Sequence, residues 1–205
     1  MKRLFFLTAC LFLVGITNEM KAAELANNAD TKATFELEPN QKGSVILTAD
    51  DLYFGIHQQS DFDIDAKAED MAAIKVTEFS GEKPGWVLKV TLDKFTSGSD
   101  TAEGLQLFYP NVVPKTSVVS GKPYAPVSKG TDDSFFSDVT NKGTIVNDDK
   151  APIILAEAAE GHGYGDWEFL YSGDNVVQLK IPTGQKVGNY KAVLTYTVED
   201  GPTSF

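Results

Sequence analysis

The chain has 205 residues, 42% of them hydrophobic and 11% aromatic, a formal net charge of −11 and a single cysteine. That length supports one domain burying about 70% of the surface its unfolded chain exposes. The acidic excess excludes a surface built to neutralise phosphates, so nucleic acid and anionic lipid are not expected partners. One cysteine excludes an internal disulfide framework.

The first element is an export signal. Lys2 and Arg3 precede an almost wholly apolar run, Leu4 to Ile16, too short to span a bilayer comfortably. Cleavage is expected near Ala22-Ala23, which sets residues 1–23 apart as a signal peptide and leaves 24–205 as one domain. Leu7-Thr8-Ala9-Cys10 has the form of a lipobox, but the apolar run continues past Cys10 and a secretory signal is the better reading. Cleavage takes three of the 18 basic and one of the 29 acidic residues, so the exported domain carries −13 and no cysteine. Its stability has to come from its core alone. Residues 24–205 hold no further apolar segment, so no membrane contact is expected after cleavage.

Strand patterns dominate the rest. Phe35 and Leu37 alternate with polar residues, and Val45 to Leu47 is apolar ahead of Asp50-Asp51. Ala66 to Ala73 is alanine-rich, with the composition of two helical turns. Ile74, Val76 and Glu78 then share one face of a strand, with Lys75, Thr77 and Phe79 on the other. Trp86, Leu88, Val90 and Leu92 alternate with Val87, Lys89, Thr91 and Asp93; Leu105, Leu107, Val112 and Val118-Val119 follow. Ser120 to Pro152 reads as a long loop rich in Pro, Gly and Asp, and Pro152 to Ala159 as a second short helix. Trp167-Phe169-Tyr171, Val177-Leu179-Ile181 and Tyr190-Ala192-Leu194-Tyr196-Val198 close the series. Period-2 runs bounded by turn residues predict an all-β fold. The architecture expected is a single β-sandwich-like domain with long loops and at most one or two short helices.

Motifs that carry chemistry fail on context. Gly161-His162-Gly163-Tyr164-Gly165 suggests a dinucleotide loop, which needs a helix after it. Asp166-Trp167-Glu168-Phe169 reads as a strand instead, so the glycines belong to a β-connection. Ser80-Gly81-Glu82-Lys83 has a serine–lysine spacing but runs straight into Pro84-Gly85, where no helix holds the pair together. Asp61, Asp63 and Asp65 look calcium-like, yet Ala66 and Ala72 stand where an EF-hand requires glycine and glutamate. The two histidines, His57 and His162, lack partners at zinc spacing. No catalytic, cofactor-binding or metal-ligating set is expected, and a binding module is favoured over an enzyme.

Three blocks are specific: Asp51-Leu52-Tyr53-Phe54-Gly55, Gly85-Trp86-Val87-Leu88, and Gly188-Asn189-Tyr190-Lys191-Ala192-Val193-Leu194-Thr195-Tyr196-Thr197-Val198. On these the chain resembles the WxL-domain surface proteins of Gram-positive bacteria, which carry two Trp-x-Leu motifs in a secreted domain. The first motif matches at Trp86-Val87-Leu88, and Tyr196-Thr197-Val198 stands where the second is expected. The likeness runs from about Thr31 to Pro202. It implies non-covalent retention on the cell wall through peptidoglycan, a display or adhesion role, and other cell-surface proteins or host matrix as partners. Wall contact would then fall to Trp86, Leu88, Tyr196 and Val198.

The alternation itself gives a second reading of those residues. Continuous apolar faces normally point into a core. A core role and a ligand-contacting role for Trp86 both stand at this stage. Two other classes also remain: a pilin-like or matrix adhesin subunit that adds strands edge to edge, and a secreted glycosidase drawing on the many carboxylates.

Overall fold

The computed structural model describes residues 46–79, 84–117, 125–137 and 140–201. The expected signal peptide, the strand at Phe35 and Leu37, the Ser80–Lys83 tetrapeptide and Val118-Val119 lie outside them. Among the described residues fifteen strands form in chain order. The first eight are β1 (Ile46–Ala49), β2 (Ile64–Lys67), β3 (Ala72–Glu78), β4 (Trp86–Leu92), β5 (Thr96–Ser97), β6 (Asp100–Thr101), β7 (Gln106–Pro110) and β8 (Lys115–Thr116). They are followed by β9 (Val127–Ser128), β10 (Asp132–Asp133), β11 (Lys142–Asn147), β12 (Ile153–Ala158), β13 (Gly165–Tyr171), β14 (Gln178–Ile181) and β15 (Leu194–Asp200). The one helical element among the described residues is a 3-10 turn, Gly173–Asn175. The fold is therefore all-β and sandwich-like.

Three antiparallel sheets carry it, with orders β1-β3-β13-β8, β10-β11-β7-β14-β2 and β15-β4-β12-β9, beside the small hairpin β5-β6. Each sheet turns one apolar face inward. Val76, Trp167 and Phe169 come from the first sheet, Leu107, Tyr109, Val146 and Leu179 from the second, and Trp86, Leu88, Val90 and Leu92 from the third, into a single core cluster. Each large side chain buried there contributes about 1.5–3 kcal/mol. The predicted inward faces of β3, β4 and β13 are the observed ones.

Neither predicted helix forms. Ala66 lies inside β2 and Ala72 opens β3, both buried, and residues 68–71 connect the two strands. Pro152 to Ala159 contains β12, where Ala156 and Ala158 lie opposite Leu88 and Trp86. A small residue is needed across from an indole, so packing against β4 overrides alanine's helix propensity. The predicted loop Ser120–Pro152 also contains structure. It supplies the edge strands β9 and β10 and the interior strand β11, which pairs with β7 from Gly143↔Pro110 to Asn147↔Gln106.

The last strand is shorter than its alternation suggests. β15 begins at Leu194, and Tyr190 to Val193 precede it. Pairing resumes beyond a mismatch: Lys191 bridges Thr96, with N–O distances of 2.8 and 2.9 Å. Between that bridge and Leu194↔Leu92, residues 93–95 on one side of the ladder face residues 192–193 on the other. One extra residue on one side is the signature of a bulge, which breaks the ladder locally.

Candidate functional site

The two motif segments, far apart in sequence, are adjacent strands. β4 is an interior strand of the third sheet and β15 its edge neighbour, with Leu88 opposite Val198, Val90 opposite Tyr196 and Trp86 opposite Asp200. Residues directly opposite in an antiparallel pair share a face. Leu88, Val90, Tyr196 and Val198 therefore form one patch, directed into the core.

Trp86 is enclosed. Its relative exposure is 0%, as is that of Leu88, whereas Tyr196 and Val198 are partly buried. The indole Nε1 donates to the Gly163 carbonyl at 3.0 Å, and the ring meets Phe169 edge-on with centroids 6.3 Å apart. The glycine-rich connection between β12 and β13 thus roofs the motif tryptophan. At Gly163 a Cβ would lie 2.4 Å from Nε1, so only glycine fits against the indole.

Gly85, just before the motif, is fixed by the same logic. Its φ is +79°, and a Cβ would lie 2.4 Å from the Ala158 carbonyl oxygen. Its own carbonyl accepts a hydrogen bond from Gly201 N at 3.0 Å, tying the start of β4 to the end of β15. Gly85→Ala is expected to destabilise the domain by at least the roughly 1–3 kcal/mol of a left-handed non-glycine residue. A denaturant midpoint indistinguishable from wild type would refute this account of the glycine.

Tyr196 completes a second cluster. Its hydroxyl lies 2.7 Å from that of Tyr109, and the Tyr109 ring meets Tyr171 and Tyr196 edge-on at 5.5 and 6.5 Å. The three phenols come from β15, β7 and β13, one from each sheet. Burial pushes Tyr196 up to about 12 and raises Tyr109 and Tyr171 well above the ordinary value. A buried tyrosine needs a hydrogen-bond partner that a hydrocarbon ring does not. Where the second motif has Tyr196 in place of tryptophan, Tyr109 supplies that partner.

The Asp51–Gly55 element also packs on the core. Leu52 and Phe54 rest against the cluster, and Tyr53 accepts a backbone bond from Glu69 at 2.9 Å. Of the three calcium-like acids, Asp63 accepts from Thr183 N at 3.0 Å and lies 3.9 Å from the Lys180 amine.

Sequence reasoning missed a polar cleft on the outer face of the first sheet, about 440 Å3 in volume. Register builds it in two rows. Lys75, Glu168 and Lys115 are opposite one another on β3, β13 and β8, and Thr77 is opposite Asp166 in the next row with Ser117 beyond. Glu168 pairs with Lys75 at 3.1 Å, while Asp166 accepts from Thr77 Oγ1 at 2.7 Å and faces Ser117 Oγ at 3.5 Å. The alternating polar face of β3 was legible beforehand; the pairing of β13 with the two-residue strand β8, which completes the cleft, was not.

Among the described residues no helix is long and apolar enough to cross a membrane. Searches among curated proteins and solved structures gave no match. A family model described as WxL domain surface cell wall-binding matches residues 38–202, a span that contains all fifteen strands. The chain belongs to the WxL family of surface cell wall-binding domains, and its place is the cell wall or cell surface.

Proposed function

We propose that the chain is exported, loses residues 1–23, and is held on the wall non-covalently through peptidoglycan by the single domain 24–205, for display or adhesion. Within that role, Trp86, Leu88, Tyr196 and Val198 act by holding the β4–β15 pair in place, and the wall is met by surfaces this pair supports. One observation carries the reading: both motifs lie side by side on a core-facing patch, with Trp86 and Leu88 fully enclosed.

The test is co-sedimentation of residues 24–205 with purified sacculi stripped of teichoic acids, with Trp86→Phe alongside. Saturable binding, kept by Trp86→Phe wherever that variant remains folded, is expected. A folded Trp86→Phe that no longer sediments would make the indole a direct contact. A folded wild type that ignores sacculi would overturn wall binding by this domain.

Charge gives a further expectation. A domain carrying −13 is repelled at long range by anionic wall polymers, and salt screens that repulsion within a Debye length of about 8–10 Å. Binding to sacculi that retain those polymers is expected to hold or strengthen as salt rises from low to physiological. Release over that interval would point instead to long-range attraction.

A second reading has one observation in its favour. β15 is a seven-residue strand at a sheet edge, a form suited to strand addition by a partner. In that adhesin-subunit role the isolated domain would form concentration-dependent polymers. A stable monomer that binds sacculi would exclude it.

A further inference from the structure

The cleft on the first sheet holds a cation and an acid, neither of which has a close ion partner among the described residues. Two lysines flank Glu168 in the first row, and Glu168 takes Lys75 as its partner. Lys115 is exposed and forms no ion pair among the described residues. In the second row Asp166 is half-buried and meets hydroxyls, not a cation. Its two hydroxyl contacts leave acceptor capacity, since an ionised carboxylate offers about four lone-pair sites.

Three physical points narrow the ligand. The volume, about 440 Å3, falls within the roughly 300–1,000 Å3 of small-ligand sites, so a short segment fits and a folded partner is not required. The formal charges of Lys75, Lys115, Asp166 and Glu168 cancel, so an acid approaching here meets no local excess of negative charge despite the chain's net −11. The two rows are two residues apart along β13, so Lys115 on β8 and Asp166 on β13 are diagonal neighbours about 7–8 Å apart. A ligand matching both rows presents a carboxylate to Lys115 and an amide N–H donor that distance away to Asp166. A neutral sugar would offer Lys115 only hydroxyl acceptors, whereas a carboxylate accepts a charge-assisted hydrogen bond, roughly twice as strong. The C-terminal end of an extended peptide satisfies both.

We infer that this cleft takes the free carboxylate end of a short peptide, the chemistry of an uncrosslinked peptidoglycan stem. The inference rests on the wall-binding reading above and adds which moiety is held and where. The Lys115 amine binds the carboxylate in a charge-assisted hydrogen bond, Asp166 accepts from a backbone amide, and the Thr77 and Ser117 hydroxyls orient Asp166.

The experiment is an amide-shift titration of residues 24–205 with a soluble N-acetylated stem peptide as the free acid, and with the same peptide as its C-terminal amide. Lys115→Gln and Asp166→Asn run in parallel with a Lys186→Gln control, each checked by thermal melt and by sacculus co-sedimentation. Expected are shifts centred on Lys75, Lys115, Ser117, Asp166 and Glu168. The amidated peptide and Lys115→Gln should each bind about tenfold more weakly or worse, with Lys186→Gln unchanged. Equal affinity for acid and amide, wild-type affinity in Lys115→Gln, or shifts elsewhere would overturn the assignment. If wild type sediments with sacculi but ignores the free-acid peptide, the cleft assignment falls while wall retention stands. If it does neither, wall retention falls as well and takes the assignment with it.

Discussion

Trp86→Ala is expected to remove about 3–5 kcal/mol of stability, the range for truncating a large core aromatic. The indole is fully enclosed, so the whole ring volume becomes a cavity beneath β12 and the Gly163 turn. The surroundings cannot collapse readily, because Ala156, Ala158 and Gly163 are already the small residues of the site. The substitution also leaves the Gly163 carbonyl without its 3.0 Å donor and removes the edge contact with Phe169. Domains of this size hold a total of about 5–15 kcal/mol, so about a fifth or more of the stability goes. A melting temperature lower by about 6–20 °C follows from roughly 2–4 °C per kcal/mol. Trp86→Phe keeps most of the apolar surface and loses the hydrogen bond, for about 1–3 kcal/mol. Thermal unfolding followed by near-UV circular dichroism checks both. Wild-type melting of Trp86→Ala would mean that the enclosed position contributes little, and would return the tryptophan to the wall-contacting role.

The parts of this arrangement that local chemistry dictates were open to sequence reading. Alternation at Trp86, Leu88, Val90 and Leu92, and at Trp167, Phe169 and Tyr171, records which side of a strand is buried, and each face is inward as expected. The misreadings arose where residues answer to a distant neighbour. Ala156 and Ala158 read as helix formers, but they are small because Leu88 and Trp86 stand across from them. β11 was hidden in a glycine- and acid-rich stretch. Gly143 begins its pairing with β7, and a Cβ there would lie 2.3 Å from the Tyr109 carbonyl oxygen. The candidate sites follow the same division. Each motif strand was visible alone, whereas their adjacency depends on a pairing across more than a hundred residues. The cleft depends on Lys115-Thr116, a strand of two residues with no period to detect.

Raising the pH is expected to unfold the domain cooperatively between about pH 10 and 12, through the tyrosine cluster. In the unfolded chain a phenol titrates near 10. In the folded domain burial holds Tyr196 up to about 12, and Tyr109 and Tyr171 also lie well above the ordinary value. Below pH 10 the phenols are neutral in both states, and the stability from their burial is fully present. As pH rises past 10 the unfolded chain releases protons that the folded one retains, so stability falls with pH until the folded values are reached. For Tyr196 alone that difference is on the order of 3 kcal/mol. Tyr109 and Tyr171 act in the same direction. Phenolate absorbance from the cluster should therefore appear together with loss of near-UV dichroism, after the exposed tyrosines have titrated. Tyr196→Phe alone leaves the Tyr109 hydroxyl without its 2.7 Å partner and should cost about 1–3 kcal/mol at neutral pH. Replacing both Tyr109 and Tyr196 by Phe removes the orphaned group, so much of that loss should be recovered. The double variant also lacks two of the three ionisable phenols and should unfold at higher pH than Tyr196→Phe. A domain whose tyrosines all titrate near 10 with its dichroism intact would show that the cluster is open to solvent, and the second motif would then be a surface element.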